Sequence, residues 1–341
     1  MKKIIKIGNL SLGDGHIVIQ SMTTTKTSNI DATIAQINRL TDVGCEMVRV
    51  AVKDEADALA IKEIKKQISC PIIADIHYDE KLALLSIDAG ADKIRINPGN
   101  TSLESLKSII ECAKAHHIPI RIGVNSGSLS HEVLEKYGPK AEGMIAEVEK
   151  ALQLFKSLAF EDIVISLKAT DIETFIKANR LLAKKYPYPI HIGLTESGPL
   201  LSGAIRSSYA IGTLLKEGVG DTIRVSLTGD PVNEVIAAKE ILKMFNLYDG
   251  ATIISCPTCG RCEYNMEEII NELLPYIYRI NKPIKIAIMG CVVNGIGEGK
   301  EADLGIAGGK EKGAIFKHGE IIKTVPQNQL VSEFIKLLNE I

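Results

Sequence analysis

Two hydrophobic periods alternate through the first ~250 residues of the chain. Short β-branched runs occur at 16–22, 46–52, 71–77, 92–97, 118–125, 162–168, 190–195 and 222–228, and each reads as a strand. Between them, stretches such as DATIAQINRLTDVG and TSLESLKSIIECAKAHH space their apolar residues by three and four, the period of an amphipathic helix. Thr101 with Glu104 predicts a capping box, and Asp230 with Pro231 predicts an N-cap followed by proline at N1. VGCEMVRV, AGADKIRI and GVGDTIRV repeat one theme: a helix-ending glycine, an acid, then a strand with arginine at its middle. Eight βα units of about 30 residues predict a (β/α)8 TIM barrel. An open doubly wound sheet shares the alternation, but no G-x-G-x-x-G follows the first strand.

The pattern changes near Asp249–Gly250. Beyond it the periods predict strand 251–255, helix 265–280, strand 284–289, strands near 304–307, 313–317 and 320–324, and helix 327–340. The run GCVVNGIGEGKEADLG reads as a loop. The expected organisation is therefore a barrel over 1–248 and a small α/β unit over 249–341.

Alternation also assigns faces. In DKIRIN, Ile94 and Ile96 face the helices, which turns Arg95 and Asn97 into the barrel. The same count points Arg49, Asp75 with His77, Arg121 with Asn125, Ser166 with Lys168, Thr195, and Arg224 with Ser226 inward. Four arginines and one lysine then face two expected acids, Asp75 and Glu196. Burying unpaired cations is costly, so an anionic ligand is the expected compensation. A diphosphate suits forked guanidiniums, and Gly198 and Gly203 in SGPLLSGAIRSS offer a further anion site at a helix start.

The net charge of −2 leaves no global field for polyanions, so the cationic site is local. Few aromatics and no Trp argue against stacking on single-stranded nucleic acid. The N-terminus lacks a signal-peptide pattern, and no apolar run is long enough for a membrane span. Cys45, Cys70 and Cys112 sit in apolar or helical contexts, as free thiols do in a reducing cytosol, and a cytoplasmic location follows.

The other thiols are grouped. SCPTCGRC spaces Cys256, Cys259 and Cys262 by three, and MGCVVNGIGE adds Cys291, with Glu298 seven residues on as an oxygen donor. A structural zinc, disulfides and an iron–sulfur cluster all compete for these residues. Zinc sites usually pair two C-x2-C knuckles, whereas three closely spaced thiols with a remote fourth are closer to cluster ligation. The glycine-rich loops suit backbone N–H groups approaching cluster sulfides.

QSMTTT, ADIHY, KIRINPGN, HIGLTESG, SCPTCGR and MGCVVNGIGE, in that order, resemble the 4-hydroxy-3-methylbut-2-en-1-yl diphosphate synthase family in its short bacterial form. The resemblance implies a [4Fe-4S] cluster on Cys256, Cys259, Cys291 and Glu298, with Cys262 outside the ligand set. It implies reductive opening of 2-C-methyl-D-erythritol 2,4-cyclodiphosphate in the methylerythritol phosphate pathway, with electrons from reduced flavodoxin or ferredoxin. Glu196 falls on the family's acidic catalytic position. Arg49, Arg95, Arg121, Lys168 and Arg224 fall on its diphosphate ligands, and Asp75, His77, Asn97, Asn125, Thr195 and Ser226 in matching motifs. Arg261 and Asn294 in the cluster loops are expected to reach substrate across a homodimer, in which one chain's cluster domain covers the other's barrel. The alternative is a zinc-stapled barrel that binds a phosphate metabolite without redox chemistry.

Overall fold

The protein is described by a computed structural model covering residues 2–341 except Tyr78 and Glu263, and Val293 without its side chain. Tyr78 of the ADIHY motif thus lies outside the described residues. The chain divides into two compact units, Met1–Leu247 and Tyr248–Ile341.

In the first unit, eight parallel strands follow one another around a barrel: Val18–Met22, Met47–Val52, Ile72–Ile76, Lys93–Ile96, Ile120–Asn125, Ile163–Lys168, His191–Ile192 and Thr222–Ile223. Thr222 pairs with Val18, and a bridge from Ile165 to Ile190 closes the remaining gap. The strands are buried on both faces, so they read as continuous apolar runs interrupted by inward polar residues. The repeat's glycines Gly44, Gly90 and Gly218 have positive φ where a helix gives way to the next strand.

Some expected boundaries shift. The last two strands are only two residues long, against the six and seven predicted over 190–195 and 222–228. At Gly193 the backbone presses on the Arg224 carbonyl, which a Cβ would meet at 2.2 Å, and the regular ladder stops there. The helix after KIRINPGN spans Leu103–Ala115 and is capped by Ser102 rather than Thr101; the Ser102 side chain accepts from Ser105 N. Helix Val232–Met244 begins one residue later than expected, with Pro231 at the N-cap and Asp230 accepting from Val232 N. Gly203 lies inside helix Leu200–Lys216, pressed against Leu227, so its role is packing.

A hairpin of Ile5–Ile7 and Leu10–Leu12 was not foreseen, because three-residue strands carry little periodic signal. Its Ile5, Ile7 and Leu12 pack on the inward Val18, Met47, Ile73 and Val164. This apolar plug fills the barrel floor and leaves the polar inward residues for the layers above it.

The second unit is a five-stranded sheet in the order Thr252–Ser255, Lys285–Met289, Leu304–Ala307, Lys312–Lys317, Glu320–Pro326, parallel for three strands and then antiparallel. Ile286 and Ile288 face a core shared with helices Met266–Ile277 and Leu330–Leu338. Ala287 and Met289 face the opposite core with Phe316. The run GCVVNGIGEGKEADLG, expected as a loop, opens with a helix, Val292–Glu298, with Cys291 at its N-cap. Two of its glycines serve packing: a Cβ on Gly295 would strike Met289 at 2.5 Å, and one on the C-cap Gly299 would meet Phe316 at 2.8 Å. Among the described residues, no helix is long and apolar enough to cross a membrane.

Candidate active site

Parallel register carries the inward residues from strand to strand. Ala51 pairs with Asp75, Asp75 with Arg95, and Arg95 with Arg121, so one carboxylate and two guanidiniums stand side by side. Asp75 lies 3.3 Å from Arg95 Nη1 and 3.7 Å from Arg49 Nε. His77, exposed at the strand end, places Nε2 3.0 Å from Arg95 Nη1 and 3.6 Å from Asp75. Burial alone would raise the Asp75 carboxyl. Arg49, then His77, Arg95 and Arg121 outweigh it and hold Asp75 well below the usual carboxylate range.

The second acid is not the one expected. Glu196 is exposed and accepts from Thr170 Oγ1 at 3.0 Å. The buried carboxylate is Glu234, from helix Val232–Met244, which holds Arg224 through two contacts of 3.0 Å each. Ser21 Oγ and Leu227 N also donate to it. Strand alternation had no access to a helix residue, which is why Glu234 was missed. Lys93 was missed too, although it lies two residues before Arg95 and so on the same face. It is fully buried with Nζ 3.5 Å from Met47 Sδ.

Among the described residues, six cations (Arg49, Lys93, Arg95, Arg121, Lys168, Arg224) thus share the lumen with two carboxylates. Burial, despite Asp75, lowers Arg49 to about 10. Burial and then Arg224, Arg49 and Arg121 push the Lys168 ammonium well below the usual lysine value. Burial, Arg49 and Arg95 act the same way on Arg121, which is 1% exposed with Nε and Nη1 lacking any hydrogen-bond partner. A guanidinium keeps its proton in proteins, so Arg121 is a destabilised cation rather than a neutral group. Arg95 Nε is also without a partner. The lumen therefore carries more basic groups than acids to pair with them.

The remaining expected residues divide. Asn97 is buried and committed to its loop: Nδ2 donates to Ser128 Oγ at 2.9 Å, and Oδ1 accepts from Gly99 N. Asn125, Thr195 and Ser226 are half-buried at strand ends. Glu196 has φ of 54°, a left-handed conformation costing a non-glycine residue about 1–2 kcal/mol. Strain of this kind concentrates at functional positions.

In the second unit all four thiols are free, Cys259 exposed and Cys256, Cys262 and Cys291 half-buried. Gly290 N donates to Cys256 Sγ at 3.2 Å. A Cβ on Gly290 would lie 3.1 Å from Cys262 Sγ and 3.6 Å from Cys256 Sγ, so a larger residue would crowd the sulfurs. Burial raises the Tyr264 phenol, and Cys262, Cys256 and Cys291 add to the rise. Tyr264 Oη donates to Met289 O, anchoring the backbone just before Gly290. Cys262 Sγ donates to Tyr264 O at 3.2 Å and packs into the core. The Arg261 backbone N–H draws the Cys259 thiol down. Arg261, Asn294 and Glu298 are exposed, and two helical turns separate Cys291 from Glu298.

The fold is shared widely. Dihydropteroate synthase from Stenotrophomonas maltophilia superposes with a TM-score of 0.53 at 15% identity, covering 71% of this chain and 97% of that one. Type I 3-dehydroquinate dehydratase from Clostridium difficile gives 0.51 at 14% identity, covering 72% and 98%. At such identities only the barrel is indicated. Sequence relatives are far closer. 4-Hydroxy-3-methylbut-2-en-1-yl diphosphate synthase (flavodoxin) from Geobacillus thermodenitrificans is 50% identical, covering 99% of this chain and 91% of the relative. The Bacillus subtilis protein of that name is 50% identical over 97% of this chain and 89% of its own length. The GcpE TIM-barrel domain matches residues 2–239 and the GcpE protein C-terminal domain residues 252–340. The chain belongs to the GcpE family, that of the 4-hydroxy-3-methylbut-2-en-1-yl diphosphate synthases.

Proposed function

We propose that the chain converts 2-C-methyl-D-erythritol 2,4-cyclodiphosphate to 4-hydroxy-3-methylbut-2-enyl diphosphate, an isoprenoid precursor, as a cytoplasmic oxidoreductase. The C2–O(phosphate) bond breaks, the C3 hydroxyl leaves as water, and a C2–C3 double bond forms as two electrons enter. Reduced flavodoxin, the donor in the relatives' names, or a ferredoxin supplies the electrons. One observation carries the reading: the cationic lumen has too few acids, in a chain 50% identical to such synthases along nearly its whole length.

The thiols fit an iron–sulfur cluster. Cys256, Cys259 and Cys291 are the soft donors such a cluster takes, with an N–H on Cys256 and a glycine where a side chain would crowd the sulfurs. One tetrahedral ion needs its ligand atoms about 3.8 Å apart. Among the described residues, no three of these thiols draw within 4.8 Å of one another, which favours a larger group. Cys256, Cys259, Cys291 and Glu298 would hold a [4Fe-4S] cluster, which would relay the donor's electrons and offer the substrate oxygen an iron where the Glu298 carboxylate gives way. Cys262 donates to a backbone carbonyl and serves packing.

The chain's own groups do the rest. Arg121 and Lys168, which lack acids, take the phosphate oxygens first. Arg49 and Arg95 share Asp75 at longer range and turn toward the ligand without abandoning it. Arg224 is oriented by Glu234. Glu196, held by Thr170, delivers a proton to the departing hydroxyl oxygen. A homodimer in which one chain's cluster unit covers the other's barrel mouth would exclude water from the reacting carbons, with Arg261 and Asn294 at the covered face.

The test is anaerobic turnover with cyclodiphosphate and reduced flavodoxin, followed by mass spectrometry. A brown protein that forms the enyl diphosphate is expected. A colourless zinc protein that binds the cyclodiphosphate unchanged would overturn the redox reading.

A further inference from the structure

On the outer helical layer, three side chains of metal-ligating type converge. Asp88 ends helix Glu80–Asp88, Cys112 lies in helix Leu103–Ala115, and His116 is that helix's C-cap. A carboxylate oxygen of Asp88, the Cys112 Sγ and a ring nitrogen of His116 lie within 4.8 Å of one another. The spacing explains it: residues four apart share a helix face, and the neighbouring helix of the barrel presents its last residue to that face.

The imidazole is already oriented. His116 Nδ1 is 3.0 Å from the Cys112 carbonyl oxygen, and the proton there donates to it. Nε2, the other ring nitrogen, lies 3.4 Å from Asp88 Oδ1. Metal-bound histidines ordinarily donate their other ring N–H to such a carbonyl. Cys112 Sγ is 3.8 Å from His116 Nδ1, on the carbonyl side of the ring. The competing arrangement is a His116–Asp88 ion pair, with both side chains about half exposed and therefore weak.

We propose that Asp88, Cys112 and His116 form a surface site for a divalent ion of the zinc class, with water as fourth ligand. Thiolate, imidazole and carboxylate are the donors zinc takes, and tetrahedral coordination sets them about 3.3–3.8 Å apart. The Asp88–Nε2 contact is near that spacing, and the three ligand atoms already lie within 4.8 Å, so a rotation of the Cys112 side chain from the Nδ1 side of the ring toward Nε2 closes the site. It lies at the C-terminal ends of two consecutive barrel helices, the face opposite the strand ends that carry the cation set. The ion ties these helices together and touches no reacting atom. The inference stands apart from the proposed reaction.

The test uses the anaerobically purified holoprotein with zinc chloride, equilibrium dialysis with metal analysis, and thermal unfolding. The native chain is expected to bind one zinc more than Cys112→Ser or His116→Ala, with affinity at least tenfold above theirs and an unfolding midpoint that zinc raises only in the native chain. Circular dichroism and cluster absorbance of both variants should match the native chain, separating lost binding from lost fold. Equal zinc uptake by all three proteins, or uptake that occurs only as the brown colour is lost, would overturn the site.

Discussion

Replacing Arg121 with methionine should stabilise the substrate-free barrel and weaken substrate binding. Arg121 is 1% exposed, two of its nitrogens lack partners, and its charged neighbours include Arg49 and Arg95. Replacing an ill-compensated buried charge with an apolar side chain of similar volume commonly stabilises by about 1–4 kcal/mol. At this size each kcal/mol moves the midpoint by roughly 2–4 °C. Loss of a charged hydrogen bond to phosphate costs about 1.5–3 kcal/mol of binding, a rise in Kd of roughly 10- to 150-fold. Arg224→Met is the control with the opposite sign of stability. It strands Glu234, which is 3% exposed, and breaking a buried pair from one side costs about 3–5 kcal/mol. Differential scanning calorimetry without ligand and isothermal titration with cyclodiphosphate read both quantities. A lower barrel midpoint in Arg121→Met, or unchanged affinity, refutes the claim that Arg121 is held strained for an anion.

Cys256→Ser, Cys259→Ser and Cys291→Ser should each lose the cluster while Cys262→Ser keeps most of it; iron and sulfide analysis showing the reverse would exchange their roles. Glu196→Gln should assemble a normal cluster, bind substrate and turn over at least 100-fold slower, the scale of a lost general acid. Glu298→Ala should instead change the resting electron paramagnetic resonance of the reduced protein, and near-native rates in the first or an untouched spectrum in the second would mean the carboxylates are misassigned. Lys168 has a lowered folded-state pKa, so the ligand-free barrel gains stability as pH rises between that value and the usual lysine one. A bound dianion restores the charge, so binding at mildly alkaline pH should take up a proton, and calorimetric heats that do not vary with buffer ionisation enthalpy would count against it.

Much of this was legible wherever a period of two or 3.6 could be counted. The inward set from Arg49 to Arg224 followed from alternation because the barrel strands are regular and buried on both faces. The failures have physical causes. Glu234 comes from a helix, and no strand pattern reveals which helix residue turns under the barrel mouth. The floor hairpin is too short for periodicity, and the Val292–Glu298 helix was hidden because Gly295, required by Met289, and the C-cap Gly299, required by Phe316, read as loop residues. Asn97 faced inward as counted, yet its side chain was claimed by Ser128 and Gly99, a local competition that facing alone cannot rank.

The two acids of the lumen also explain how six cations are held without collapsing the barrel or quenching the site. Glu234 is saturated: two Arg224 nitrogens, Ser21 and Leu227 all donate to it, so Arg224 is fixed in direction before substrate arrives. Asp75 is shared at 3.3–3.7 Å among Arg95, His77 and Arg49, which offsets one of the two guanidinium charges without fixing any one member. Arg121 and Lys168, farther round the barrel, are left undercompensated. Had each cation been given its own carboxylate, the lumen would be more stable, but an incoming diphosphate would gain little by displacing those pairs. Partial neutralisation leaves an electrostatic deficit at the mouth that a dianion can fill, and the apolar plug beneath it confines that deficit to the end where barrel enzymes work.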